Sequence, residues 1–440
     1  MLTTYQEAVD WIHSRLRLGI KPGLKRMEWM MDRLGNPEAK IKAVHIGGTN
    51  GKGSTVTFLR SILQAEGYTV GTFTSPYIEQ FNERISVNGK PISDQEILEL
   101  VKMILPLADE LEETELGGPT EFEVITAMSF YYFAHHPQLD IVIYEVGLGG
   151  RFDSTNILHP LASIITNIGL DHTNILGNSY EEIAFEKAGI IKANTPIFTA
   201  VQHPGALKVI EEQAEKQHAP IYRINHEFSI QKHNSLEKGE MFTVEMGPLS
   251  VEQLEISMIG KHQTENAALA VMAAQYLTQI GSLVITERAI RNGLLQAYWP
   301  GRFEILSEHP LVIIDGAHND EGIATLVHEL STRFADRYIH VVFAALKDKK
   351  LDQMIAQLDK VADQITFVSF DFPRAAAAED LLKISHSQNK LAVDDWKTYL
   401  IDEIHCLNTN SILVVTGSLY FISEVKPHLC RILKNMKISL

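Results

Sequence analysis

The sequence predicts an α/β protein with two domains, each built on a mainly parallel sheet covered by helices. Short β-branched segments alternate with helical patterns along the chain, as in such sheets. A length of 440 residues is too great for one ordinary core, and an apolar content of 45% is sufficient for two. The segment Tyr298-Trp299-Pro300-Gly301-Arg302 interrupts the pattern after a helical stretch. We therefore place the domain boundary between residues 297 and 298.

The first domain, residues 1–297, is expected to carry most of the parallel sheet. It opens with an amphipathic helix that includes Tyr5 and Leu16. The predicted strands are Ala43–Ile46, Thr69–Phe73, Asp140–Val146, Ala162–Asn167 and Pro196–Ala200. Between residues 218 and 259 the pattern becomes polar and strand-rich, which is compatible with an antiparallel edge or a flap.

The second domain, residues 298–440, is expected to be a smaller, Rossmann-like α/β unit. It follows a helix predicted over Glu287–Ala297. Its predicted strands are Leu311–Ile314, His340–Ala344, Gln364–Phe370 and Ile412–Val415. The alanine run Ala375–Ala378 indicates a loop or the start of a helix.

Charge and cysteine content exclude several classes of protein. Lys and Arg number 39 against 55 Asp and Glu, a balance of −16 that argues against a nucleic-acid or membrane-surface role. Anionic ligands must then be held by local donors and metal. Two distant cysteines, Cys406 and Cys430, suggest neither a disulfide framework nor a metal site, and they fit a reducing cytoplasm. We expect neither export nor membrane insertion, since no apolar run approaches about 18 residues.

A glycine-rich turn between a strand and a helix predicts a phosphate-binding loop of the P-loop NTPase type. Residues 43–55 run from an apolar strand into Gly47-Gly48-Thr49-Asn50-Gly51-Lys52-Gly53, and a helical pattern starts at Ser54. Glycines let backbone N–H groups surround an anion, the helix offers its positive end, and Lys52 adds a mobile charge. The predicted ligand is ATP, and the alternative is an ordinary turn.

The match to the usual P-loop pattern is imperfect at two places. Three residues separate Gly47 from Gly51 where four are usual, and Gly53 follows Lys52 where Ser or Thr normally holds magnesium. Another oxygen must therefore reach the metal.

Two further strand ends carry metal-binding side chains. Glu145 ends an apolar strand and precedes a glycine turn, which makes it the leading magnesium ligand. His172 follows the strand that begins at Ala162, at the sheet edge where α/β folds bind ligands, and it is the second candidate. The alternatives are a solvated carboxylate and a structural histidine. From the local sequence alone, Lys187 is predicted to form one half of a solvated ion pair.

Nine motifs in register give the chain a family resemblance. They are Gly-Thr-Asn-Gly-Lys-Gly-Ser (48–54), Thr-Ser-Pro (74–76) with Asn-Glu-Arg-Ile (82–85), Glu-Val-Gly-Leu-Gly-Gly-Arg (145–151), Leu-Asp-His-Thr (170–173), Glu-Lys-Ala-Gly-Ile (186–190), His-Gln-x-x-Asn-Ala (262–267), Gly-Arg-Phe-Glu (301–304), Asp-Gly-Ala-His-Asn (315–319) and Thr-Gly-Ser-Leu-Tyr (416–420). Together they resemble folylpolyglutamate synthase/dihydrofolate synthase, within the Mur ligase superfamily, over nearly the whole chain.

The resemblance implies roles for the nucleotide and the metal. ATP phosphates would be held by Asn50, Gly51, Lys52, Gly53 and Ser54, and the nucleotide site would be completed by Asn266, Arg302 and Asp315. Two magnesium ions would be bound by Ser75, Glu145, His172 and Lys187, the last as a carbamate. Ser75 would then supply the hydroxyl that Gly53 lacks. The implied catalytic set is Lys52, Glu145, His172, Lys187 and Arg302.

The resemblance also implies the substrates. The pteridine ring would lie near Thr120, Phe122, Phe152, Asp153 and Ser154, with Phe122 or Phe152 stacked on it, and either aromatic side chain could instead seal the core. L-glutamate would meet His318 and Ser418. Tyr77 and Glu121 depart from the family pattern near these loops and leave the substrate preference open.

The implied reaction is ATP-dependent amide formation through an acyl phosphate. L-glutamate would be added to the γ-carboxylate of a folate, and also to dihydropteroate, in folate biosynthesis. Two alternatives are a Mur ligase acting on a peptidoglycan precursor and a non-catalytic protein that binds ATP. A cytoplasmic monomer is the simplest expectation.

Overall fold

A computed structural model describes residues 2–19, 21–247 and 249–438 of the chain. The chain divides into two compact units. The first comprises Met1–Ser257 with Lys261–Tyr298, and the second comprises Met258–Gly260 with Trp299–Leu440. The units and the predicted domains thus differ at residue 298 and at residues 258–260. Within the described ranges, no helix combines the length and the apolar character needed to span a membrane.

The described residues of the first unit form eleven strands in two sheets. The strands are β1 (Ala43–Gly47), β2 (Val70–Phe73), β3 (Ile85–Val87), β4 (Lys90–Pro91), β5 (Ile141–Glu145), β6 (Ala162–Ile165), β7 (Ile197–Thr199), β8 (Ile221–Arg223), β9 (Ser229–Ser235), β10 (Glu240–Met246) and β11 (Leu249–Ile256). The large sheet has the order β4-β3-β2-β5-β1-β6-β7-β8, and the small sheet has the order β11-β10-β9.

The helices of the first unit surround the large sheet and connect its parallel strands. They are α1 (Tyr5–Ser14), α2 (Lys25–Leu34), α3 (Lys52–Glu66), α4 (Asp94–Glu112), α5 (Glu121–His135), α6 (Thr173–Leu176), α7 (Tyr180–Ala188), α8 (Pro204–Lys216), α9 (Lys261–Gln279) and α10 (Glu287–Gln296). Their apolar faces pack in clusters with the sheet. One such cluster includes Met30 and Phe130, and another includes Ile165 and Ile210.

The parallel strand β1 lies at the centre of the large sheet, between β5 and β6. Ile46 pairs with Glu145 on one side and with Ile164 on the other. Since parallel strands end at the same sheet edge, the loops after β1, β5 and β6 meet there. This edge carries the site described below.

Several predicted strands are longer than the observed ones. The strand predicted over Ala162–Asn167 ends at Ile165, because Thr166 and Asn167 leave the sheet to contact the loop after β1. The predicted helix start at Ser54 is also late, since α3 begins at Lys52. The polar segment at 218–259 forms β8 at the edge of the large sheet and then the separate antiparallel sheet.

The second unit is a six-stranded sheet with helices on both faces. Its strands are β12 (Glu304–Glu308), β13 (Leu311–Ile314), β14 (Tyr338–Phe343), β15 (Gln364–Val368), β16 (Lys390–Val393) and β17 (Ser411–Thr416), in the order β12-β13-β17-β14-β15-β16. Its helices are α11 (Asp320–Arg333), α12 (Leu351–Leu358), α13 (Ala378–Ile384), α14 (Trp396–Cys406) and α15 (Leu419–Ile438). The alanine run at 375–378 leads into α13.

Alternate residues of β13 enter two different cores. Leu311 and Ile313 pack on one face of the sheet, and Val312 and Ile314 pack on the other. This continuous apolar pattern is what a strand buried on both faces requires. Together with the large parallel sheet of the first unit, it confirms the predicted α/β fold class.

Candidate functional site

The loop after β1 has the backbone of a phosphate-binding loop. Gly48 has φ +143° and Gly51 has φ +84°, backbone values that residues other than glycine rarely adopt. Gly51 caps helix α3, whose first residue is Lys52. The first-turn N–H groups of a helix have no partner within the helix and carry a partial positive charge. The loop therefore offers donors to an anion.

Residues just beyond β6 hold this loop in place. The Thr166 hydroxyl donates to the carbonyl oxygen of Asn50 over 2.5 Å, and the side-chain oxygen of Asn167 accepts from the Asn50 N–H over 2.7 Å. A Cβ on Gly48 would lie 1.9 Å from the Thr166 hydroxyl oxygen, so that glycine is required for close approach as well. The sequence reasoning missed Thr166 and Asn167. The sequence feature that could have identified them is a pair of polar residues at the end of an apolar strand.

Two lysines converge on one carbonyl of the loop. Lys52 Nζ donates to the Gly48 oxygen over 3.1 Å, and Lys187 Nζ donates to the same oxygen over 2.9 Å. The Lys187 side chain is buried, and desolvation followed by repulsion from Lys52 lowers its pKa to about 7. Asp171 and Asp153 act in the opposite direction but do not outweigh these two causes. The surface ion pair that the residues alone suggested for Lys187 is therefore wrong.

The carboxylate of Glu145 lies at the end of β5, buried beside the loop that follows β2. Its Oε2 accepts a hydrogen bond from the backbone N–H of Ser75 over 3.2 Å. The structure thus brings Ser75 and Glu145 together, although they are 70 residues apart in the chain. A solvated strand-end carboxylate, the alternative for Glu145, is excluded by this burial.

His172 is the exposed first residue of the turn into α6. Its backbone is left-handed, with φ 51°, and its N–H donates to Oδ1 of Asp171 over 2.8 Å. Asp171 itself is buried and close enough to Lys187 to raise the pKa of that lysine. Asp171, which the sequence marks as part of an Asp-His pair but not as a metal ligand, is therefore a further acidic group at this edge.

The glycine turn after Glu145 packs directly on the last turn of α7. A Cβ on Gly150 would lie 2.9 Å from the carbonyl oxygens of Glu186 and Lys187, and one on Gly189 would lie 2.4 Å from Cα of Arg151. The Arg151 N–H donates to the Glu186 oxygen over 2.7 Å, which satisfies a carbonyl at the helix end. This packing places Lys187 against the phosphate-binding loop.

Asn266 of α9 also reaches the phosphate-binding loop. A Cβ on Gly51 would lie 2.3 Å from the Asn266 side-chain oxygen. The buried Gln263 accepts a hydrogen bond from the Asn266 amide over 3.0 Å and orients it. Ser54, in the first turn of α3, is buried.

In the second unit, Asp315 organises the segment that carries Arg302. Its carboxylate accepts from the N–H groups of Phe303 and Ala317 over 2.7 and 2.8 Å. Desolvation raises the pKa of Asp315, and these two N–H groups and Arg302 act against that rise. The Arg302 guanidinium donates to the carbonyl of Gly301 over 3.1 Å.

The two residues expected near glutamate also lie in the second unit. The His318 ring bonds the carbonyl of Gly316 through Nδ1 over 2.8 Å. Ser418 is buried at the residue before α15.

Two residues expected near the pteridine ring belong to helix α5 and its cap. The Thr120 hydroxyl accepts from the N–H of Glu123, and the Glu123 side chain accepts from the Thr120 N–H, so together they form a capping box. The Phe122 ring lies directly over Gly147, where a Cβ would be 2.4 Å from the ring. Phe122 therefore helps to shape the glycine turn, whereas Thr120 caps helix α5.

The remaining three expected substrate residues lie just beyond the glycine turn. Asp153 and Ser154 are buried, whereas Phe152 is 45% exposed. The Arg151 guanidinium carbon lies 4.2 Å from the centre of the Phe152 ring, a cation–π contact. Of the two aromatic candidates, Phe152 has an accessible face and Phe122 packs against the protein.

The donor set at the sheet edge fits a hard divalent cation. Magnesium prefers oxygen ligands and keeps several waters, so one carboxylate and one hydroxyl suffice as a protein platform. Glu145 offers a buried carboxylate beside Ser75, next to a loop built for phosphate. Within the described part of the chain, no group of three or more His, Cys, Asp and Glu side chains forms a metal-binding cluster.

Comparisons with known proteins give one consistent family. Residues 46–274 match the Mur ligase middle domain, and residues 301–419 match the Mur ligase glutamate ligase domain. The chain is 52% identical to dihydrofolate synthase/folylpolyglutamate synthase of Bacillus subtilis (strain 168), over 98% of this chain and 100% of that protein.

Solved structures of the same family are similar in fold. Folylpolyglutamate synthase from Thermotoga maritima superposes with a TM-score of 0.83 at 34% identity, covering 96% of each chain. A complex of FPGS with AMPPCP and folate superposes with a TM-score of 0.85 at 33% identity, covering 97% of this chain and 100% of that one.

Proposed function

The chain belongs to the folylpolyglutamate synthase/dihydrofolate synthase family of Mur ligases, and we propose that it joins L-glutamate to a pteridine carboxylate in folate biosynthesis. The donor is the γ-carboxylate of a reduced folate, and dihydropteroate is a second donor. The observation that carries the proposal is the convergence of Lys52 and Lys187 on Gly48, beside the buried Glu145. ATP is the co-substrate.

A carboxylate must be activated before an amine can attack it, because oxide is a poor leaving group. The substrate carboxylate attacks the γ-phosphorus of ATP, an acyl phosphate forms, and ADP leaves. The glutamate amine then attacks the acyl carbon, phosphate leaves, and the amine loses a proton as the amide forms. Lys52 and the first-turn N–H groups of α3 face the phosphates and stabilise the charge that develops on them.

The proposed magnesium ligands are Ser75, Glu145 and His172. Magnesium, when bound, supplies charge neutralisation at the phosphate oxygens. Asn50, Gly51, Gly53, Ser54 and Asn266 are proposed to contact the nucleotide. Arg302 and Asp315 are assigned to nucleotide binding and His318 and Ser418 to glutamate from the family resemblance.

We assign Lys187 the role of a carbamate that positions a second magnesium ion. Its neutral amine attacks carbon dioxide, an N–C bond forms, and one proton leaves to solvent. A buried amine whose pKa is about 7 is partly neutral under physiological conditions, which supports this chemistry. Carbon-13 NMR after addition of labelled bicarbonate should give a carbamate signal that Lys187→Ala lacks. Unmodified density at Lys187 in a magnesium–nucleotide complex would contradict the assignment.

The assay that tests the function compares two donors. Purified protein receives MgATP and L-glutamate with either dihydropteroate or tetrahydrofolate, and both ADP and the amide product are measured. Activity with both donors indicates a bifunctional enzyme, and activity with one indicates a monofunctional enzyme. Activity with neither would overturn the folate assignment.

The same assay separates the alternatives. A peptidoglycan-precursor ligase would join an amino acid to a nucleotide sugar, and a non-catalytic protein would bind ATP without turnover. ATP binding with no turnover of any donor would favour the non-catalytic protein, and loss of turnover in Glu145→Gln would count against it. A cytoplasmic location and a monomeric state remain sequence predictions, which fractionation and light scattering can check.

A further inference from the structure

A chain of three buried polar side chains joins the strand before the phosphate-binding loop to the loop that carries Phe152. His45 lies on β1, and its Nε2 is 2.8 Å from the Thr155 hydroxyl oxygen. That hydroxyl in turn donates to Oδ1 of Asp153. His45 and Thr155 are 0% exposed, and Asp153 is 5% exposed, so this chain is part of the interior.

The directions of these hydrogen bonds follow from the number of protons available. The Asp153 carboxylate accepts from the N–H of Thr155 over 3.0 Å and from the N–H of Leu148 over 2.8 Å, so its oxygens act as acceptors. The single hydroxyl proton of Thr155 goes to Asp153. Its oxygen is then left to accept from His45, which must carry its proton on Nε2.

The other nitrogen of His45 supports the same assignment. His45 Nδ1 is buried and has no hydrogen-bond partner among the described residues. A buried N–H without an acceptor is strongly destabilising, so the unprotonated nitrogen is expected at that position. Burial, followed by repulsion from Lys192, lowers the pKa of His45 to about 3, which keeps the ring neutral.

We propose that His45 and Thr155 are positioning residues for the pteridine substrate. The Thr155 hydroxyl binds Asp153, and Asp153 binds the N–H of Leu148. These two hydrogen bonds fix both ends of the turn that carries Phe152 and packs under Phe122. This inference rests on the proposed function, because it assigns the turn to the pteridine side of the reaction.

The kinetic test removes one hydroxyl and keeps the shape. Thr155→Val deletes the hydrogen bond to Asp153, and Thr155→Ser keeps it. Thr57→Val makes the same change at a buried hydroxyl that has no hydrogen-bond partner among the described residues. For Thr155→Val we expect KM for the pteridine donor to rise about tenfold, with KM for ATP within about twofold of wild type. Thr155→Ser and Thr57→Val should keep both wild-type KM values. An unchanged pteridine KM in folded Thr155→Val would overturn the proposal.

A second measurement does not depend on any variant folding. Nitrogen-15 NMR of the wild-type protein should show His45 protonated at Nε2 and unprotonated at Nδ1. The opposite tautomer would overturn the proposed hydrogen-bond chain from His45 to Asp153. If the wild-type protein turns over neither pteridine donor, the proposed function fails, and the tautomer result still decides the hydrogen-bond chain.

Discussion

At the scale of single residues, the site depends on charges held where water is scarce. Lys187 and Glu145 are both buried, and each is placed by a hydrogen bond to backbone near the phosphate-binding loop. A buried charge is expensive unless a ligand or partner compensates it. Such groups are consequently expected where an ion or a phosphate will bind.

Replacement of Glu145 by Gln should abolish most of the activity while the fold is kept. The amide oxygen can still accept from Ser75, but the negative charge is lost. We expect turnover to fall about 100-fold or more. The control is Asp140→Asn, the same change just before the opposite end of β5, where Asp140 is exposed. Equal turnover in both variants would contradict a role for Glu145 at the metal.

His45 should make the protein sensitive to acid. Because its pKa is about 3 in the folded state and about 6.5 when unfolded, unfolding takes up a proton between these pH values. Its contribution to stability is complete above pH 6.5 and is lost as the pH falls toward 3. Between pH 7 and 5 the wild type should lose about 2 kcal/mol more unfolding free energy than His45→Gln. Urea denaturation at both pH values measures this difference, and parallel pH curves would contradict it.

At the scale of elements, helix α7 and the glycine turn fit together only without side chains at their contact. Gly189 has an ordinary helical backbone, with φ −60° and ψ −14°. The local backbone would therefore tolerate alanine, and the close approach of Arg151 excludes it. The glycine serves the packing of two elements rather than the conformation of one.

Gly189→Ala should destabilise the protein through this contact alone. We expect a loss of about 1–3 kcal/mol in the free energy of unfolding, with reduced turnover because Lys187 shifts. The control is Gly322→Ala in α11, where a Cβ would lie 3.1 Å from the end of the Asn319 side chain and no closer to other atoms. A thermal unfolding series checks both. Equal stability of the two variants would argue against close packing at Gly189.

At the scale of the whole molecule, the second unit recruits a segment from an earlier part of the chain. Met258–Gly260 belong to it, although residues 261–298 belong to the first unit. Ile259 is 6% exposed and packs in a core with Phe303 and Ile323. The second unit therefore draws on two separate segments of the chain.

Ile259→Ala should weaken the second unit more than the first. Removal of a buried isoleucine side chain costs about 2–5 kcal/mol, depending on how far the cavity collapses. Hydrogen exchange should then show the greatest loss of protection in strands β12–β17. The control is Ile280→Ala, at a site 44% exposed in the first unit, which should change protection little. Loss of protection confined to the large sheet would contradict the assignment.

The sequence by itself determined the fold class, the phosphate-binding loop and the family. Alternation of apolar segments, glycine spacing and strand-end acids are local patterns, and local backbone preferences are enough to specify them. They located Lys52 in the loop region after β1 and Glu145 at the end of β5 without any knowledge of packing. The resemblance across nine motifs added the expected substrates.

Only the tertiary structure decided which distant residues support the loop and how charged groups are buried. Thr166 and Asn167 looked like strand residues, Lys187 looked like a surface lysine, and Ile259 looked like part of the first domain. Each depends on a contact between segments far apart in sequence, and local patterns hold no information about such contacts. Packing of the chain into two interiors created the burial that lowers the pKa of Lys187 and keeps His45 neutral.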